Sequence, residues 1–501
     1  MRRIKPKRWK PRRYQIVAFC FLLMRPFSGL FLDPGLGKTS TTLWVLKVLK
    51  FLSKRRRATL LIAPKSVMLL TWPNEIKKWK QFNKLTYCIL HGSMKDYSLW
   101  NARTDIYLMN PDGLPWLSKA LLAGLKEGRR MPFDILWVDE STKFKNSSTT
   151  RFEIIQDILP LFKRRHIMTG TPAAKSMEDL WAQIYILDRG KSLGDTFHAF
   201  RNRHWVSLAK LMPEKERKKL ANNDWRRSKY VPKKDQDIKA VISAHISHMI
   251  LEMSGGDYLD LPPLVYNRVE VELPAVAMKQ YKQMERDALT YIEEQQVSTR
   301  NALSALIPCW QIANGCVYES VPEDFSREEI KKFMKSRKTL KSHNAKVEKL
   351  IDLVDELQGK PVLIIYYFKH DLMQIRKALG KNIPAMGGHT KDHEMIKLER
   401  DWNAGKIPIM CGQPGRISHG LNLQDVGRDM IFFSLFWSPE NRRQTVQRLW
   451  RQGVTSRVTI HDIIALGTID EIMYSRWFSR QKAEMELRKL IKQYNRGTIN
   501  D

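Results

Sequence analysis

Cysteine is scarce in this chain of 501 residues, and its few thiols are scattered. The five cysteines are Cys20, Cys88, Cys309, Cys316 and Cys411. Their odd number and the lack of a C-x-x-C pair indicate neither a disulfide framework nor a zinc module. We therefore expect a protein of a reducing, cytoplasmic compartment.

Long hydrophobic runs are also missing. The longest apolar run near the start, residues 16–24, is too short to span a bilayer and ends at Arg25. It is typical of a core helix, and we predict no signal peptide, no membrane span and no short repeat. Apolar residues nonetheless make up 43% of the chain, which excludes a disordered protein, and the length allows two to four domains.

Acidic residues are few relative to basic ones. The chain has 52 Asp and Glu against 86 Lys and Arg, a formal net charge of +34. Residues 1–13 contain eight basic and no acidic side chains, and residues 201–240 contain thirteen basic and five acidic ones. This excess favours a polyanion such as DNA or RNA as the partner, with a basic arm that only increases solubility as the alternative.

Residues 32–39, with the sequence LDPGLGKT, have the composition of a phosphate-binding loop. Gly35 and Gly37 allow a tight turn in which backbone N–H groups face phosphate oxygens. Lys38 supplies a cation, and the hydroxyl of Thr39 can bind magnesium. A full motif has a glycine at the first of these positions, where this chain has leucine, so a plain glycine-rich turn with a surface lysine is the alternative.

The loop lies between an apolar run, residues 28–32, and a helical run, residues 39–46. Strand, loop and helix therefore come in the order that directs a helix N-terminus at an anion. Further apolar runs alternate with helical stretches in two series. They are residues 59–63, 105–109, 134–138 and 165–168, and then residues 361–366, 407–412, 430–435 and 458–464. Strands this apolar predict an α/β fold with parallel sheets in two lobes.

Between the two series, residues 191–260 lose the strand pattern and become basic and helical. Residues 261–264, Leu-Pro-Pro-Leu, look like the entry to the second lobe. The predicted division is therefore a first lobe over residues 1–190, a basic helical insertion over residues 191–263, and a second lobe with a C-terminal helix over residues 264–501.

Two adjacent acids follow the predicted strand of residues 134–138. Asp139 can bind magnesium, which leaves Glu140 to orient and deprotonate an attacking water. Without the phosphate-binding loop, a solvated turn would be the ordinary interpretation of this pair. The turn of residues 169–172, Thr-Gly-Thr-Pro, follows the next strand and is placed to sense the γ-phosphate, although a plain β-turn would look alike.

These residues together resemble the motifs of the Swi/Snf-like branch of helicase superfamily two. Asp139-Glu140-Ser141 with Lys145-Asn146 resembles motif II, and residues 168–172 with Leu180-Trp181 resemble motif III. The other matches are Arg13-Tyr14-Gln15 for the Gln motif, residues 63–67 with Trp72 and Glu75 for motif Ia, residues 110–112 for motif Ib, residues 418–424 for motif V, Gln444, Arg448, Arg451 and Gly453 for motif VI, and the tail of residues 458–471. The resemblance covers about residues 11–190 and 260–480.

The resemblance implies two RecA-like lobes that bind ATP and magnesium and grip DNA. It assigns nucleotide contacts to Gln15, Gly35, Gly37, Lys38, Thr39, Ser40, Gly170, Thr171 and Gly420, magnesium to Thr39 and Asp139, and catalytic roles to Lys38, Asp139, Glu140, Gln444, Arg448 and Arg451. The two arginines would stabilise charge on the transferred phosphoryl group when the lobes close. A solvated basic helix face is the alternative for them, because residues i and i+3 share a face.

Two positions depart from the family pattern. Thr142 follows Asp-Glu-Ser where a histidine often stands, and Lys175 stands where an asparagine is expected. Neither change affects the groups needed for hydrolysis. We expect the coupling between nucleotide state and the DNA-contacting motifs to use a different hydrogen bond.

The basic segment also contains aromatic residues in two clusters. The first is Phe197, Phe200, Arg201, Arg203, His204 and Trp205, and the second is Trp225, Arg226, Arg227, Tyr230, Lys233 and Lys234. We predict a helical protrusion whose cations contact the DNA backbone. The alternative is that the aromatic side chains pack a small core and the charges are solvated.

The expected function is that of an ATP-driven translocase on double-stranded DNA that remodels forks, branched structures or bound proteins. Three alternatives stay open: a strand-separating DNA or RNA helicase, a nucleic-acid clamp with a vestigial ATP site, and the motor subunit of a restriction or anti-restriction complex. No zinc ligands, nuclease motif or chromatin-reader module is recognisable in the sequence. The chain thus resembles the compact motors of bacteria and their phages, and we expect it in the cytoplasm of a bacterial or phage-infected cell.

Overall fold

The computed structural model describes residues 6–52, 58–170, 172, 176–218, 229–233, 237–258, 261–294, 305–319, 325–418 and 421–479. These residues fold into two compact units. The first unit, lobe 1, contains the described residues up to Arg217 and those of 229–258, and the second, lobe 2, contains those of Leu261–Ser479. Each lobe is built around its own parallel sheet.

Lobe 1 has a seven-stranded sheet in the order β3-β4-β2-β5-β6-β1-β9, and every neighbouring pair is parallel. The strands up to residue 260 are β1 (Phe27–Leu32), β2 (Thr59–Ile62), β3 (Tyr87–Ile89), β4 (Ile106–Met109), β5 (Ile135–Asp139), β6 (Arg164–Thr169), β7 (Trp205–Ser207), β8 (Tyr230–Pro232) and β9 (Ile250–Met253). β7 and β8 form a separate antiparallel pair.

Helices precede, connect and follow these strands. They are α1 (Arg13–Met24), α2 (Lys38–Leu52), α3 (Trp72–Lys78), α4 (Lys95–Asn101), α5 (Leu114–Lys126), α6 (Thr150–Ile158), α7 (Asp179–Asp188), α8 (Phe197–His204), α9 (Glu214–Lys218), α10 (Ile238–Ile246) and α11 (Gly255–Tyr258). Short helical turns occur at Val67–Thr71, Pro111–Gly113, Ser141–Phe144, Leu159–Leu161 and Leu208–Leu211. The central strands are buried, as expected for a parallel sheet covered on both faces.

The strands that precede the predicted site residues are neighbours in this sheet. β1 lies between β6 and β9, and β5 lies beside β6. Phe31 pairs with Thr169, and Asp139 pairs with Met168, so the carboxyl ends of β1, β5 and β6 lie at one edge of the sheet. Open parallel sheets bind their ligands at this edge.

Lobe 2 has a six-stranded, fully parallel sheet in the order β10-β17-β16-β13-β15-β14. Its strands, with a separate antiparallel pair of β11 and β12, are β10 (Leu264–Val271), β11 (Cys316–Tyr318), β12 (Thr339–Lys341), β13 (Val362–Ile365), β14 (Ala385–Met386), β15 (Ile409–Gly412), β16 (Asp429–Phe432) and β17 (Val458–Ala465). Its helices are α12 (Ala275–Glu294), α13 (Ile307–Ala313), α14 (Arg327–Ser336), α15 (Ala345–Glu356), α16 (Lys369–Leu379), α17 (Asp392–Asn403), α18 (Pro414–Ile417), α19 (Pro439–Val446) and α20 (469–479).

The predicted fold class is confirmed, since both lobes are α/β units with parallel sheets. The nine apolar runs that predicted strands coincide with β1, β2, β4, β5, β6, β13, β15, β16 and β17. The rest of the two sheets consists of β3, β9, β10 and β14, which the sequence did not predict.

The prediction that residues 191–260 contain no strands was wrong. β7 and β8 pair with each other, and β9 is hydrogen-bonded to β1, with Gly29 opposite Ile250. β9 has only four residues, one of which is Glu252, so its apolar pattern is too short to stand out in a basic segment. Residues 250–253 are therefore part of the lobe 1 sheet and not of a helical insertion.

Candidate active site

The loop between β1 and α2 has the backbone shape that a phosphate-binding turn requires. Gly35 and Gly37 have φ angles of +92° and +73°, in the left-handed region that favours glycine. A Cβ atom on Gly37 would lie 2.2 Å from Nε2 of Gln15, so a larger residue there would have to displace the Gln15 side chain as well as adopt a strained backbone. α2 begins at Lys38, and the N–H groups of its first turn therefore border the loop.

Gln15 joins the first turn of α1 to this loop. Its Oε1 accepts a hydrogen bond from the backbone N–H of Arg12 at 3.0 Å, and its Nε2 donates to the carbonyl of Leu36 at 3.3 Å. The side chain is buried. The structure thus places a predicted nucleotide contact against the loop that is predicted to bind phosphate.

The three predicted side chains at the start of α2 have different surroundings. Lys38 Nζ donates to the carbonyl of Leu32 at 2.7 Å, which keeps the ammonium group over the loop. Ser40 is buried and its Oγ donates to the carbonyl of Gly37 at 3.0 Å. Thr39 lies between them in sequence and is partly exposed.

Contacts with two neighbouring strands fix the loop. The N–H of Asp33 donates to the carbonyl of Met253 at 3.2 Å, and Asp33 Oδ2 accepts from the N–H of Gly255 at 2.9 Å. These bonds join the loop to the end of β9. On the other side, a Cβ atom on Gly170 would lie 3.0 Å from Cδ of Pro34, so the turn after β6 packs closely against the loop.

Asp139 is the last residue of β5 and is partly exposed. Its Oδ2 accepts a hydrogen bond from Nε1 of Trp72 at 3.0 Å. Removal from water and the nearby Glu140 carboxylate raise the pKa of Asp139 to about 7, against the opposing effects of Lys38 and the Trp72 hydrogen bond. Lys38, Asp139 and Glu140 therefore lie close enough to influence one another electrostatically.

Glu140 has a strained backbone. Its φ and ψ angles are 58° and 60°, a left-handed conformation that non-glycine residues adopt mainly where the surroundings enforce it. Its Oε1 accepts from the hydroxyl of Thr169 at 3.3 Å and from that of Thr142 at 3.4 Å. The carboxylate is thereby oriented by two neutral donors, one from its own loop and one from the end of β6.

A buried hydrogen-bonded chain connects the acid pair to the turn after β6. The hydroxyl of Ser141 donates to Oε1 of Gln183 at 2.7 Å. Gln183 Nε2 donates to the carbonyls of Pro172 at 2.7 Å and Asp179 at 2.8 Å. Gln183 is fully buried, so this connection between motifs II and III excludes water.

The donor groups of this site fit magnesium. Asp139 and Thr39 supply oxygen atoms, the ligands that this ion prefers. Among the residues that the structure describes, no group of three or more His, Cys, Asp or Glu side chains could bind a metal. Magnesium shared with nucleotide phosphates needs no such group, because it keeps water and phosphate ligands.

The predicted residues of motif VI lie in lobe 2, in and after α19. Gln444 is buried, and its carbonyl accepts from Nε of Arg448 at 3.0 Å. Nη1 of Arg448 donates to the carbonyl of Leu421 at 2.8 Å, so this buried guanidinium joins motif VI to motif V.

Arg451 is partly exposed and also contacts motif V. Its Nη1 donates to Oδ1 of Asn422, whose backbone N–H donates to Oε1 of Glu399 at 2.7 Å. Burial raises the pKa of Glu399, while the Asn422 N–H and the charges of Arg448 and Arg451 lower it. Both arginines thus lie beside an acid and a backbone segment of their own lobe.

Some predicted residues lie outside the part of the chain that the structure describes. They are Thr171 and Gly420 of the nucleotide contacts, the departure at Lys175, and Trp225, Arg226, Arg227 and Lys234 of the second basic cluster. The assignments to these positions remain predictions.

The first basic cluster is used largely for packing within lobe 1. Phe200 and Trp205 are buried in the main core of the lobe. Nε of Arg201 forms an ion pair with Glu178 at 2.6 Å, and the guanidinium lies 4.4 Å from the ring centre of Phe197. Phe200 and Trp205 therefore pack into the main core of the lobe and not into a separate small core, and the contact of this cluster with DNA remains a prediction.

Sequence patterns gave no role to Asp33 or Gln183 and gave Trp72 only a place in motif Ia. Each of these side chains forms a hydrogen bond with a residue that is distant in the chain. Trp72, for example, donates to Asp139, which lies 67 positions later. A polar residue in an apolar stretch, such as Gln183 between Ala182 and Ile184, is the only signal that the sequence offers for this kind of contact.

Comparisons with known proteins identify relatives of this chain. The model of the SNF2-related domain matches residues 14–316, and the model of the helicase conserved C-terminal domain matches residues 345–453. A solved structure, the Sulfolobus solfataricus SWI2/SNF2 ATPase core in complex with dsDNA, aligns with 98% of this chain and 99% of its own, with 20% identity and a TM-score of 0.40.

Similar proteins occur in phages, bacteria and animals. Protein p41 of Acyrthosiphon pisum secondary endosymbiont phage 1 is 30% identical over 500 residues, which cover 97% of this chain and 99% of that protein. The human DNA annealing helicase and endonuclease ZRANB3 is 24% identical over 88% of this chain, and the uncharacterized ATP-dependent helicase MG018 of Mycoplasma genitalium is 23% identical over 94%. This chain spans only 37% and 41% of the length of these two relatives.

None of the helices in the described ranges is both long and apolar enough to cross a membrane. The family match covers more than half of the chain and includes every described site residue of lobe 1. The chain therefore belongs to the SNF2-related family of helicase-like ATPases.

Proposed function

We propose that this protein hydrolyses ATP to move along double-stranded DNA and so remodels forks, branched structures or bound proteins. The observation that carries the proposal is the assembly at the carboxyl ends of β1, β5 and β6. There, the loop with Lys38 lies beside two adjacent acids, Asp139 and Glu140, whose orientations are fixed by hydrogen bonds.

In the proposed reaction, the loop N–H groups and Lys38 bind the triphosphate. Lys38 would exchange its bond to the Leu32 carbonyl for phosphate oxygens. Thr39 and Asp139 would bind magnesium, which supplies positive charge against the phosphate oxygens when it is present.

Glu140 is the proposed general base. It would take a proton from the attacking water as the water oxygen bonds to the γ-phosphorus and the bond from that phosphorus to the β,γ-bridging oxygen breaks, which leaves ADP and inorganic phosphate. The hydroxyls of Thr169 and Thr142 orient its Oε1, so the carboxylate does not have to be ordered during the reaction. Thr169 begins the Thr-Gly-Thr-Pro turn, which therefore contacts the base directly.

The proposal assigns Arg448 and Arg451 to the stabilisation of charge on the transferred phosphoryl group. Gln444 supports this assignment, because its backbone carbonyl helps to fix the guanidinium of Arg448. Arg448 contacts Leu421 and Arg451 contacts Asn422, so binding of either arginine to a phosphate would change its contact with motif V.

Double-stranded DNA is the proposed track. The net charge of +34 favours a polyanion. The name of one relative also mentions DNA, since the human protein is called a DNA annealing helicase and endonuclease.

A steady-state ATPase assay tests the enzyme and its partner together. Wild-type protein and the Glu140→Gln variant would be measured with no nucleic acid, single-stranded DNA, duplex DNA, forked DNA and RNA. We expect turnover only with wild-type protein and the largest stimulation with duplex or forked DNA. Stimulation of the ATPase rate by RNA alone would contradict the proposal. If the wild-type protein hydrolyses no ATP under any condition, a nucleic-acid clamp with a vestigial ATP site would be favoured.

A triplex-displacement assay tests movement itself. A third strand bound to a duplex should be released when ATP is hydrolysed, without separation of the duplex strands. Efficient unwinding of a tailed duplex with no triplex displacement would replace the proposal with a strand-separating helicase.

A further inference from the structure

Trp72 is a fully buried residue whose polar atom is directed at the acid pair. Its Nε1 donates to Oδ2 of Asp139 at 3.0 Å, although the two residues are 67 positions apart. An indole N–H can donate but cannot accept, and it does not ionise near neutral pH. Trp72 is therefore always the donor of this hydrogen bond, and Asp139 is always the acceptor.

The backbone before Trp72 is unusual. Residues Val67–Thr71 form a π-helical turn, in which the N–H of Trp72 donates to the carbonyl of Val67, five residues earlier. π turns are rare and are frequent at functional sites. One extra residue in a helical turn rotates the following side chains by about 100° around the axis, so this turn sets the direction of the indole.

Burial alone does not require this hydrogen bond. Trp137 is also fully buried, in the same strand as Asp139, and its indole N–H has no hydrogen-bond partner among the described residues. Its ring instead packs against the ring of His166, with centroids 4.5 Å apart and an angle of 33° between the ring planes. Lobe 1 thus tolerates an unpaired indole N–H two residues away from Asp139.

We propose that Trp72 is a positioning residue for magnesium. By binding Oδ2, it fixes the rotation of the Asp139 carboxylate, so that the carboxylate meets the ion of a magnesium–nucleotide complex without first having to reorient. The inference rests on the proposed role of Asp139 in the ATP site. Outer partners of metal ligands typically contribute about 10–100-fold in metal affinity, which sets the expected size of the effect.

The test replaces Trp72 by phenylalanine and measures nucleotide binding without turnover. A fluorescent ATP analogue would be titrated into the full chain at a series of magnesium concentrations and in EDTA. For Trp72→Phe we expect the magnesium concentration that gives half-maximal binding to rise about 10-fold or more. The affinity in EDTA should stay unchanged, because the phosphate loop itself is untouched.

Two matched variants separate this role from packing. Trp137→Phe removes a buried indole near Asp139 without removing a hydrogen bond to it. Trp79→Phe removes an indole bond to a different carboxylate, Glu75, at 2.7 Å. Neither variant should change the magnesium requirement, and the melting temperature of Trp72→Phe should fall no further than that of Trp137→Phe.

If the Trp72→Phe variant does not fold, an isostere of tryptophan can be introduced at the same position and tested in its place. β-(3-benzothienyl)alanine at position 72 retains the size of the indole and replaces only its N–H by sulfur. The same rise in the magnesium requirement is expected for it.

Each outcome has one meaning. An unchanged magnesium requirement in the benzothienyl variant, or an equal rise in Trp137→Phe, would overturn the role of Trp72 while the proposed function stands. Wild-type binding that does not respond to magnesium at all would overturn the proposed metal site and this inference with it.

Discussion

The two lobes use their polar side chains in opposite ways. In lobe 1, the acids at the strand ends accept hydrogen bonds from neutral donors, namely Trp72 on Asp139 and Thr169 on Glu140. In lobe 2, the cations of motif VI donate to groups of their own lobe, namely Arg448 to Leu421 and Arg451 to Asn422.

This difference bears on how the proposed chemistry is divided. The neutral donors Trp72 and Thr169 orient Asp139 and Glu140, and Lys38 acts on Asp139 through its charge. The arginines instead lie close to Glu399 and to the backbone of motif V. A phosphate that recruits Arg451 must compete with Asn422, and recruitment would therefore change contacts inside lobe 2.

The lobes also differ in how charge is buried. In the part of lobe 2 that the structure describes, buried ion pairs join Arg442 to Asp462 at 2.7 Å and Lys346 to Asp470 at 2.6 Å. Lobe 1 buries the cation Arg165 against the backbone carbonyls of Leu159 and Leu187, and its buried His166 is neutral because removal from water lowers the pKa of His166 to about 3.

The largest expected loss of ATPase activity follows from replacing the motif VI arginines of lobe 2. If they stabilise the transferred phosphoryl group, Arg451→Ala and Arg448→Ala should each lower the maximal ATPase rate by about 10³–10⁵-fold. DNA binding, measured by fluorescence anisotropy, should change little. The exposed Arg457→Ala serves as the control and should retain the wild-type rate. A variant that loses DNA affinity but keeps its maximal rate would show that the arginine is a backbone contact.

The corresponding change in lobe 1 removes the charge of Glu140. Glu140→Gln keeps the size of the side chain, and we expect turnover to fall by about 10²–10⁴-fold because the general base is lost. Nucleotide affinity should remain, whereas Lys38→Ala should weaken it. The control is Glu153→Gln on the exposed face of α6. Equal ATPase rates for wild type and Glu140→Gln would contradict the assignment.

Sequence patterns predicted the site residues that lie directly after a strand in the sequence. The glycines of the loop and the acids after β5 follow long apolar strands in the middle of the lobe 1 sheet, where burial on both faces gives a clear apolar run. The four strands that were missed, β3, β9, β10 and β14, are the edges of the two sheets. Edge strands pair on one side only, and these are short or, in β10, partly exposed, so their composition is less distinctive.

The long-range contacts could not be predicted in this way. The bond from Trp72 to Asp139 depends on a π turn, and the chain from Ser141 through Gln183 depends on the packing of α7. Glu140 adopts a left-handed backbone although its sequence contains no glycine signal. The family tail that includes Asp470 was recognised as a motif, but its buried bond to Lys346 became visible only in the fold.

A buried pair in lobe 2 tests whether its charges stabilise the fold. Lys346→Met leaves Asp470 buried and unpaired, and removal of one partner of such a pair costs about 3–5 kcal/mol in the free energy of unfolding. The control is Lys349→Met on the same helix, whose partner Asp352 is exposed and 3.8 Å away, so the expected cost is about 0–1 kcal/mol. Denaturant unfolding followed by fluorescence measures both. If Lys346→Met and Lys349→Met lower the free energy of unfolding by similar amounts, the buried pair stabilises the fold no more than the exposed pair does.

The smallest expected effect concerns the neutral histidine of lobe 1. His166 is fully buried, and its Nδ1 lies 3.0 Å from Oγ of Ser28. The pKa of His166 is lowered from 6.5 to about 3 by removal from water and by Arg164, so the unfolded chain takes up a proton at a higher pH than the folded one. Stability should therefore be fully present above pH 6.5 and should fall by about 1.4 kcal/mol per unit as the pH drops below it.

The measurement that isolates this effect is the unfolding free energy of lobe 1 at pH 7.5 and pH 5.5. His166→Gln cannot take up the proton and should lose less stability across this interval than wild type, even if it is less stable at both values. The exposed His198→Gln should behave as wild type. A pH dependence that is the same in His166→Gln and wild type would mean that other groups, and not this buried imidazole, make the lobe sensitive to acid.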